Sequence, residues 1–164
     1  MKDSPRFPLL FWRVMSRLNR RMLSRYGPQS KAAGKVLVLT TIGRKSGEPR
    51  STPLQFEQVE GVYYVTSARG VKADWYRNLV ACPKVDVQIG DVRFSTLAEL
   101  MNDPGPIADF LELRLKRHPH FMGVMLRLEG VPRKYTRDEL EKFSKRLAIV
   151  TLRKDTQEYR NVEG

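Results

Sequence analysis

The chain has 164 residues, enough to enclose one hydrophobic core, and its 41% hydrophobic and 29% charged residues are ordinary for a soluble globular protein. Its 30 Lys and Arg against 18 Asp and Glu give a net charge of +12, which admits nucleic acid, an anionic membrane surface or a polyanionic ligand as partner. One cysteine, Cys82, excludes an intrachain disulfide and a cysteine-based metal cluster and fits a reducing cytoplasm; it reads as a small core residue at a helix end. No apolar run is long enough to span a bilayer and no secretory cleavage pattern is found, so a cytoplasmic location is expected, with the inner face of the membrane as a candidate contact.

Residues 8–26 form the first expected element. Phe11, Val14, Met15, Leu18 and Met22 recur at helical spacing, Arg13, Arg17, Arg20 and Arg21 fall mainly on the other side, and Gly27-Pro28 ends the run. Such a helix can lie on a membrane surface, pack on the main domain, or meet a second subunit in a homodimer. A small polar linker follows, so 1–34 is set apart from a domain over 35–164.

From Lys35 the pattern is that of strands. Residues 35–44 are rich in β-branched residues and Leu, and 50–59 form the return arm of a hairpin. Between them Gly47 can take a positive φ, and Pro49 cannot donate to a ladder. Strands over 62–67, 84–89 and 92–101 follow, with a short helix over 73–81 between the first two of these. Helices are expected over 104–117, 121–128 and 136–146, the last opened by a Thr136-x-x-Glu139 capping box, and a final strand over 147–153. The connections between the first three strands are too short for crossovers, which disfavours a strictly parallel α/β fold. The fold class is α+β, mainly β with helices: a closed or nearly closed antiparallel barrel of about six strands with helical decoration and an N-terminal amphipathic helix.

No phosphate-loop lysine motif, dinucleotide fingerprint or nucleophile elbow is present, and His118 and His120 lack the companions a metal site needs. If the chain is an enzyme, an organic cofactor carries the reaction. The hairpin tip gathers Arg44, Lys45 and Arg50 with the Ser46 and Thr52 hydroxyls, which is either a solvated basic turn or a seat for phosphate or carboxylate. The stretch from Ser67 to Asn78 follows a strand and opens a helix, so its N–H groups can favour an anion or a ring carbonyl. Asn78 can bond a ring amide, and Trp75 can pack on a ring or fill the core. No nucleic-acid reader motif accompanies the charge.

Leu39-Thr40-Thr41-Ile42-Gly43-Arg44-Lys45-Ser46-Gly47 with Pro49-Arg50 and Thr52-Pro53-Leu54 resembles the signature hairpin of the deazaflavin (coenzyme F420)-dependent nitroreductase and quinone reductase family. Asp74-Trp75-Tyr76-Arg77-Asn78-Leu79, followed by Pro83 and Val85-Asp86-Val87, is a second match, and Leu147–Arg153 suits the family's last strand. The resemblance implies a split β-barrel of the flavin-reductase type. It further implies hydride transfer from reduced F420 to a quinone, enone or nitroaromatic, with FMN as the alternative cofactor. It assigns Arg44, Lys45 and Arg50, with Ser46, to the phosphate and polyglutamate tail, and Pro53 and Leu54 to the deazaflavin pocket. Asn78 and the loop Ser67, Ala68, Arg69 and Gly70 are assigned to the ring end, with Trp75 and Tyr76 shaping the pocket. The Ser67–Gly70 loop is shorter than the family's usual one, and His118-Pro119-His120 stands where nitroimidazole-activating members are tyrosine-rich.

Overall fold

The computed structural model describes residues 36–67 and 70–154. The expected helix over 8–26, the linker, Ala68 and Arg69 lie outside the described residues. The elements run β1 (Val36–Ile42), β2 (Pro49–Val59), β3 (Val62–Ser67), α1 (Asp74–Ala81), β4 (Lys84–Ile89), β5 (Val92–Leu97), β6 (Glu99–Met101), α2 (Pro104–Arg117), α3 (Pro119–Leu128), α4 (Arg137–Ser144) and β7 (Ala148–Arg153). All strand pairs are antiparallel, in the order β5-β4-β1-β2-β3-β7-β6.

That order closes the sheet. Its two edge strands, β5 and β6, are consecutive in the chain and separated by Ala98 alone. One residue cannot cross a flat sheet of seven strands, so the sheet curls until its edges meet. The single strand expected over 92–101 is therefore two: β5 pairs with β4, the Ala98 N–H turns to the Pro83 carbonyl at 2.8 Å, and β6 pairs with β7. Hence seven strands instead of about six.

The period of two along each strand sorts residues onto two faces. Inside the curl, Leu37, Leu39, Val65, Val87, Val150 and Leu152 are buried together with Trp75, Tyr76 and Leu79 of α1. The outer face of β3, β7 and β6 carries a second core: Ile149 and Tyr64 lie under Ile107, Phe110 and Leu111 of α2, Met122 and Leu126 of α3, and Leu140 of α4, with the Tyr64 and Phe110 rings stacked 4.7 Å apart. The helices start on local signals. The Asp103 side chain accepts from the Gly105 N–H at 3.1 Å with proline at the first turn, and Thr136 and Glu139 form the reciprocal capping box. Arg137 ties α4 to α2 through Asp109 at 2.7 Å and the Gly105 carbonyl at 3.0 Å.

Where α2 turns into α3, both helices are pinned to β2. Glu57, on the outer face, accepts from Arg117 Nη1 at 2.8 Å and faces Arg114 Nε at 3.9 Å and His118 Nε2 at 3.4 Å. Burial raises the Glu57 carboxyl, but the Arg117 hydrogen bond and the charges of Arg114 and His118 outweigh it, so its pKa lies below the ordinary value. Burial lowers the Arg114 pKa, and the Glu57 charge partly restores it.

Two outcomes are expected from this packing. Leu140→Ala, at a side chain with no exposure, should cost about 3 kcal/mol, read as a lower urea midpoint at unchanged slope. Because the folded Glu57 value is depressed, its stabilisation is complete above the unfolded value and is lost as pH falls from about 4.3 through the folded value. Glu57→Gln should lower stability at neutral pH by about 1–3 kcal/mol and flatten the acid limb of a stability–pH profile; an unchanged limb would remove Glu57 from the helix junction.

Candidate functional site

The β1–β2 turn is built tightly by its own backbone. The Gly43 N–H donates to the Glu48 carbonyl at 2.8 Å, and the Gly47 N–H donates to the Gly43 carbonyl at 2.7 Å. Gly47 sits at φ +71°, where a side chain is strained. A Cβ on Gly43 would meet Ser46 Oγ at 2.8 Å and the Glu48 carbonyl oxygen at 3.2 Å, so the turn closes only around glycine there. Ser46 Oγ accepts from the Glu48 N–H at 3.3 Å and from Arg50 Nη2 at 3.4 Å.

A latch fastens this turn to α1. Arg44 Nη2 reaches Asp74 Oδ1 at 3.0 Å, and Nη1 reaches Asn78 Oδ1 at 3.0 Å and the Asp74 carbonyl at 3.4 Å. The Arg44 N–H also donates to Asn78 Oδ1 at 3.2 Å. Asn78 Nδ2 donates to Thr41 Oγ1 at 3.2 Å, and the Thr41 hydroxyl donates to the Arg50 carbonyl at 3.4 Å. Asn78 and Thr41 are both buried. Three of the four hydrogen bonds the Asn78 amide can make are thus spent on the hairpin.

The cations of the turn therefore differ in kind. Arg44 is paired with Asp74, whereas Lys45 and Arg50 are exposed and have no carboxylate partner among the described residues. On the outer face beside them, β1 and β2 present three successive pairs: Ile42 opposite Pro49, Thr40 opposite Ser51 with the hydroxyls 2.9 Å apart, and Val38 opposite Pro53. The result is a strip in which apolar, hydroxyl and apolar pairs alternate, with Ile42, Pro49 and Ser51 exposed and Val38, Thr40 and Pro53 half-buried.

The remaining expected residues divide. Pro53 lies on that strip, but Leu54 pairs with the buried Leu37 and packs on the inner core, so the two side chains point to opposite faces and cannot line one pocket. Ser67 is buried and donates to the Gly70 carbonyl at 2.7 Å; Gly70 has φ +55°, and a Cβ there would meet the Arg146 carbonyl oxygen at 2.8 Å. Trp75 fills the inner core, edge-on to Tyr76. Tyr76 donates to Asn102 Oδ1 at 3.3 Å, and burial raises its phenol. His118 faces Glu57 rather than the turn. Among the described residues no group of three or more His, Cys, Asp or Glu is placed to hold a metal ion, and no helix is long and apolar enough to cross a membrane.

Sequence reasoning gave no role to Asp74 or Thr41. A buried threonine at the end of a strand, where Leu37 and Leu39 set the inward register, is the available sign that Thr41 needs an internal partner. Nothing local marks Asp74, whose partner is 30 residues away.

The chain is 31% identical over 85 residues to the F420H(2)-dependent quinone reductase Rv1261c of Mycobacterium tuberculosis, a match over 50% of this chain and 57% of that protein. The chain thus spans little more than half the length of the curated relatives it matches. Among solved structures it shares a fold with the conserved hypothetical protein Rv2991 of M. tuberculosis, at a TM-score of 0.50 and 16% identity over 82% of this chain and 79% of that one. An F420-H2 dependent reductase, FDR-A, aligns at a TM-score of 0.49 with 21% identity over 71% of this chain and 92% of its own. The family model for F420H(2)-dependent quinone reductases matches residues 11–123, a span that takes in the turn, the latch and the start of α3, and the chain belongs to that family.

Proposed function

We propose that this chain is an F420H2-dependent oxidoreductase that reduces a quinone, with the anionic side of the cofactor held at the β1–β2 turn. The observation that carries the reading is the division of labour among the turn's cations. Asp74 and Asn78 hold Arg44, and Lys45 and Arg50 stand beside it without a carboxylate partner among the described residues. A cofactor with a phosphodiester and several carboxylates fits such a donor set, because each unpaired cation gains a charge-assisted hydrogen bond and gives up no existing ion pair.

In this reading Lys45 and Arg50 bind the tail. Arg44, Asp74 and Asn78 are positioning residues that fix where the turn sits against α1. The strip Val38–Pro53, Thr40–Ser51 and Ile42–Pro49 offers a flat ring apolar contact with hydroxyls between. Held there, the reduced deazaflavin would supply a hydride, which with one proton from solvent would convert the quinone to the hydroquinone. The chain's own contribution is binding, mutual orientation of two flat molecules and exclusion of water from between them.

Fluorescence titration of the full chain with F420, and with FMN alongside, tests the assignment. F420 should bind, FMN more weakly. Lys45→Ala and Arg50→Ala should each weaken F420 about tenfold with little change in melting temperature, and added salt should weaken the native protein in the same direction. Unchanged affinity in the double variant would end the tail assignment. Asn78→Ala should both destabilise the fold by about 1–3 kcal/mol and weaken F420, because the turn loses its anchor. Destabilisation with intact affinity would separate the latch from binding.

A further inference from the structure

The hydroxyl pair of the strip is one end of a longer row. Thr40 lies opposite Ser51 on one side and opposite Asp86 on the other, and Asp86 lies opposite Ser95. The row therefore crosses β2, β1, β4 and β5 without a break, on the outer face. Two hydrogen bonds order it: Thr40 Oγ1 and Ser51 Oγ are 2.9 Å apart, and Ser95 Oγ donates to Asp86 Oδ1 at 2.6 Å. Asp86 is exposed and enters no ion pair among the described residues.

The rows on either side are of a different kind. Ile42 and Pro49 stand two residues nearer the turn that carries Lys45 and Arg50, and Val38 and Pro53 stand two residues the other way. Successive rows on one face are about 6.7 Å apart. A ligand laid along the strip thus meets in order a cationic end, a polar row and an apolar pair. Within the polar row lone pairs outnumber protons. The Ser95 proton is committed to Asp86, one proton of the Thr40–Ser51 pair lies between those two oxygens, and an ionised carboxylate only accepts. Asp86 also repels any phosphate or carboxylate laid against it. The ligand segment that fits over it is neutral and rich in O–H donors.

A deazaflavin carries such a segment, a ribityl chain with several free hydroxyls, between its ring and its phosphate. We propose that Asp86 accepts hydrogen bonds from these hydroxyls, and that Thr40 and Ser51 seat the same chain from the side of β1 and β2. Asp86 is then a specificity-determining residue for a polyol-linked cofactor. Ser95 is a positioning residue that holds one carboxylate oxygen and leaves the other for the ligand. The inference rests on the reading of the turn and strip as the cofactor's seat and extends it to β4 and β5. It also gives the cofactor a direction, with phosphate at Arg50, polyol across Ser51, Thr40 and Asp86, and ring over Val38 and Pro53.

Fluorescence titration of the full chain with F420, and with an N-methyl deazaflavin that keeps the ring but has no polyol, tests the assignment. Asp86→Ala should weaken F420 about tenfold and Ser95→Ala about threefold, with melting temperature unchanged. Asp86→Asn, which keeps an acceptor, should fall between the native protein and Asp86→Ala. The polyol-free ring should show no difference between the native protein and Asp86→Ala, whereas a merely structural role for Asp86 would weaken both ligands alike. Native affinity for F420 in Asp86→Ala, or an equal loss for the polyol-free ring, would overturn the ribityl assignment and leave that of Lys45 and Arg50 standing. No F420 binding by the native chain would overturn both.

Discussion

One buried amide sets the geometry of the candidate site. Asn78 projects from α1 into the base of the β1–β2 hairpin, taking two donors from Arg44 and giving one to Thr41. Away from water each of these groups would be costly to leave unpaired, so the arrangement holds together or fails together. Through it a turn at the end of two strands becomes part of the rigid body formed by α1 and the inner core. That rigidity matters because a floppy cationic turn must be ordered whenever it binds an anion, and ordering long side chains and backbone opposes binding. Asp74 adds the second tie and cancels the charge of the arginine that does the holding.

The pairing pattern also explains what a net charge of +12 means here. The charge is not uniform: Arg44, Arg114, Arg117 and Arg137 are engaged with carboxylates and join elements to one another. Lys45 and Arg50 at the turn have no carboxylate partner among the described residues. The total, read from composition, could not separate stapling arginines from binding ones, because the distinction lies in which acids come near. An overall excess of positive charge therefore does not by itself locate an anion site.

Local features of the fold were legible in the sequence where the physics is local. The alternation of Leu37, Leu39 and Thr41, the Gly47–Pro49 turn, the Asp103-Pro104 start of α2 and the Thr136–Glu139 box each act within a few residues, and the corresponding elements form close to where their residues place them. The break at Ala98 was not legible, since an alternating run reads as one strand until the sheet's closure decides that its halves pair with different neighbours. The same holds for Glu57, whose partners Arg114, Arg117 and His118 lie some 60 residues on, and for Asn78, which was expected to face a ring and instead holds the hairpin. Leu54 shows the converse: the period of two already places it opposite Pro53, and only the family pattern had set them side by side.

Strand β2 connects the turn to the corner between α2 and α3. Near one end Arg50 stands at the cationic turn; seven residues further, about 23 Å along an extended chain, Glu57 anchors the corner between α2 and α3. Its pairing changes along the way, to β1 from Pro49 to Gln55 and to β3 from Phe56 to Val59. Backbone pairing thus runs along the whole strand, first to one neighbour and then to the other, and it fixes the turn at a constant distance from the corner between α2 and α3.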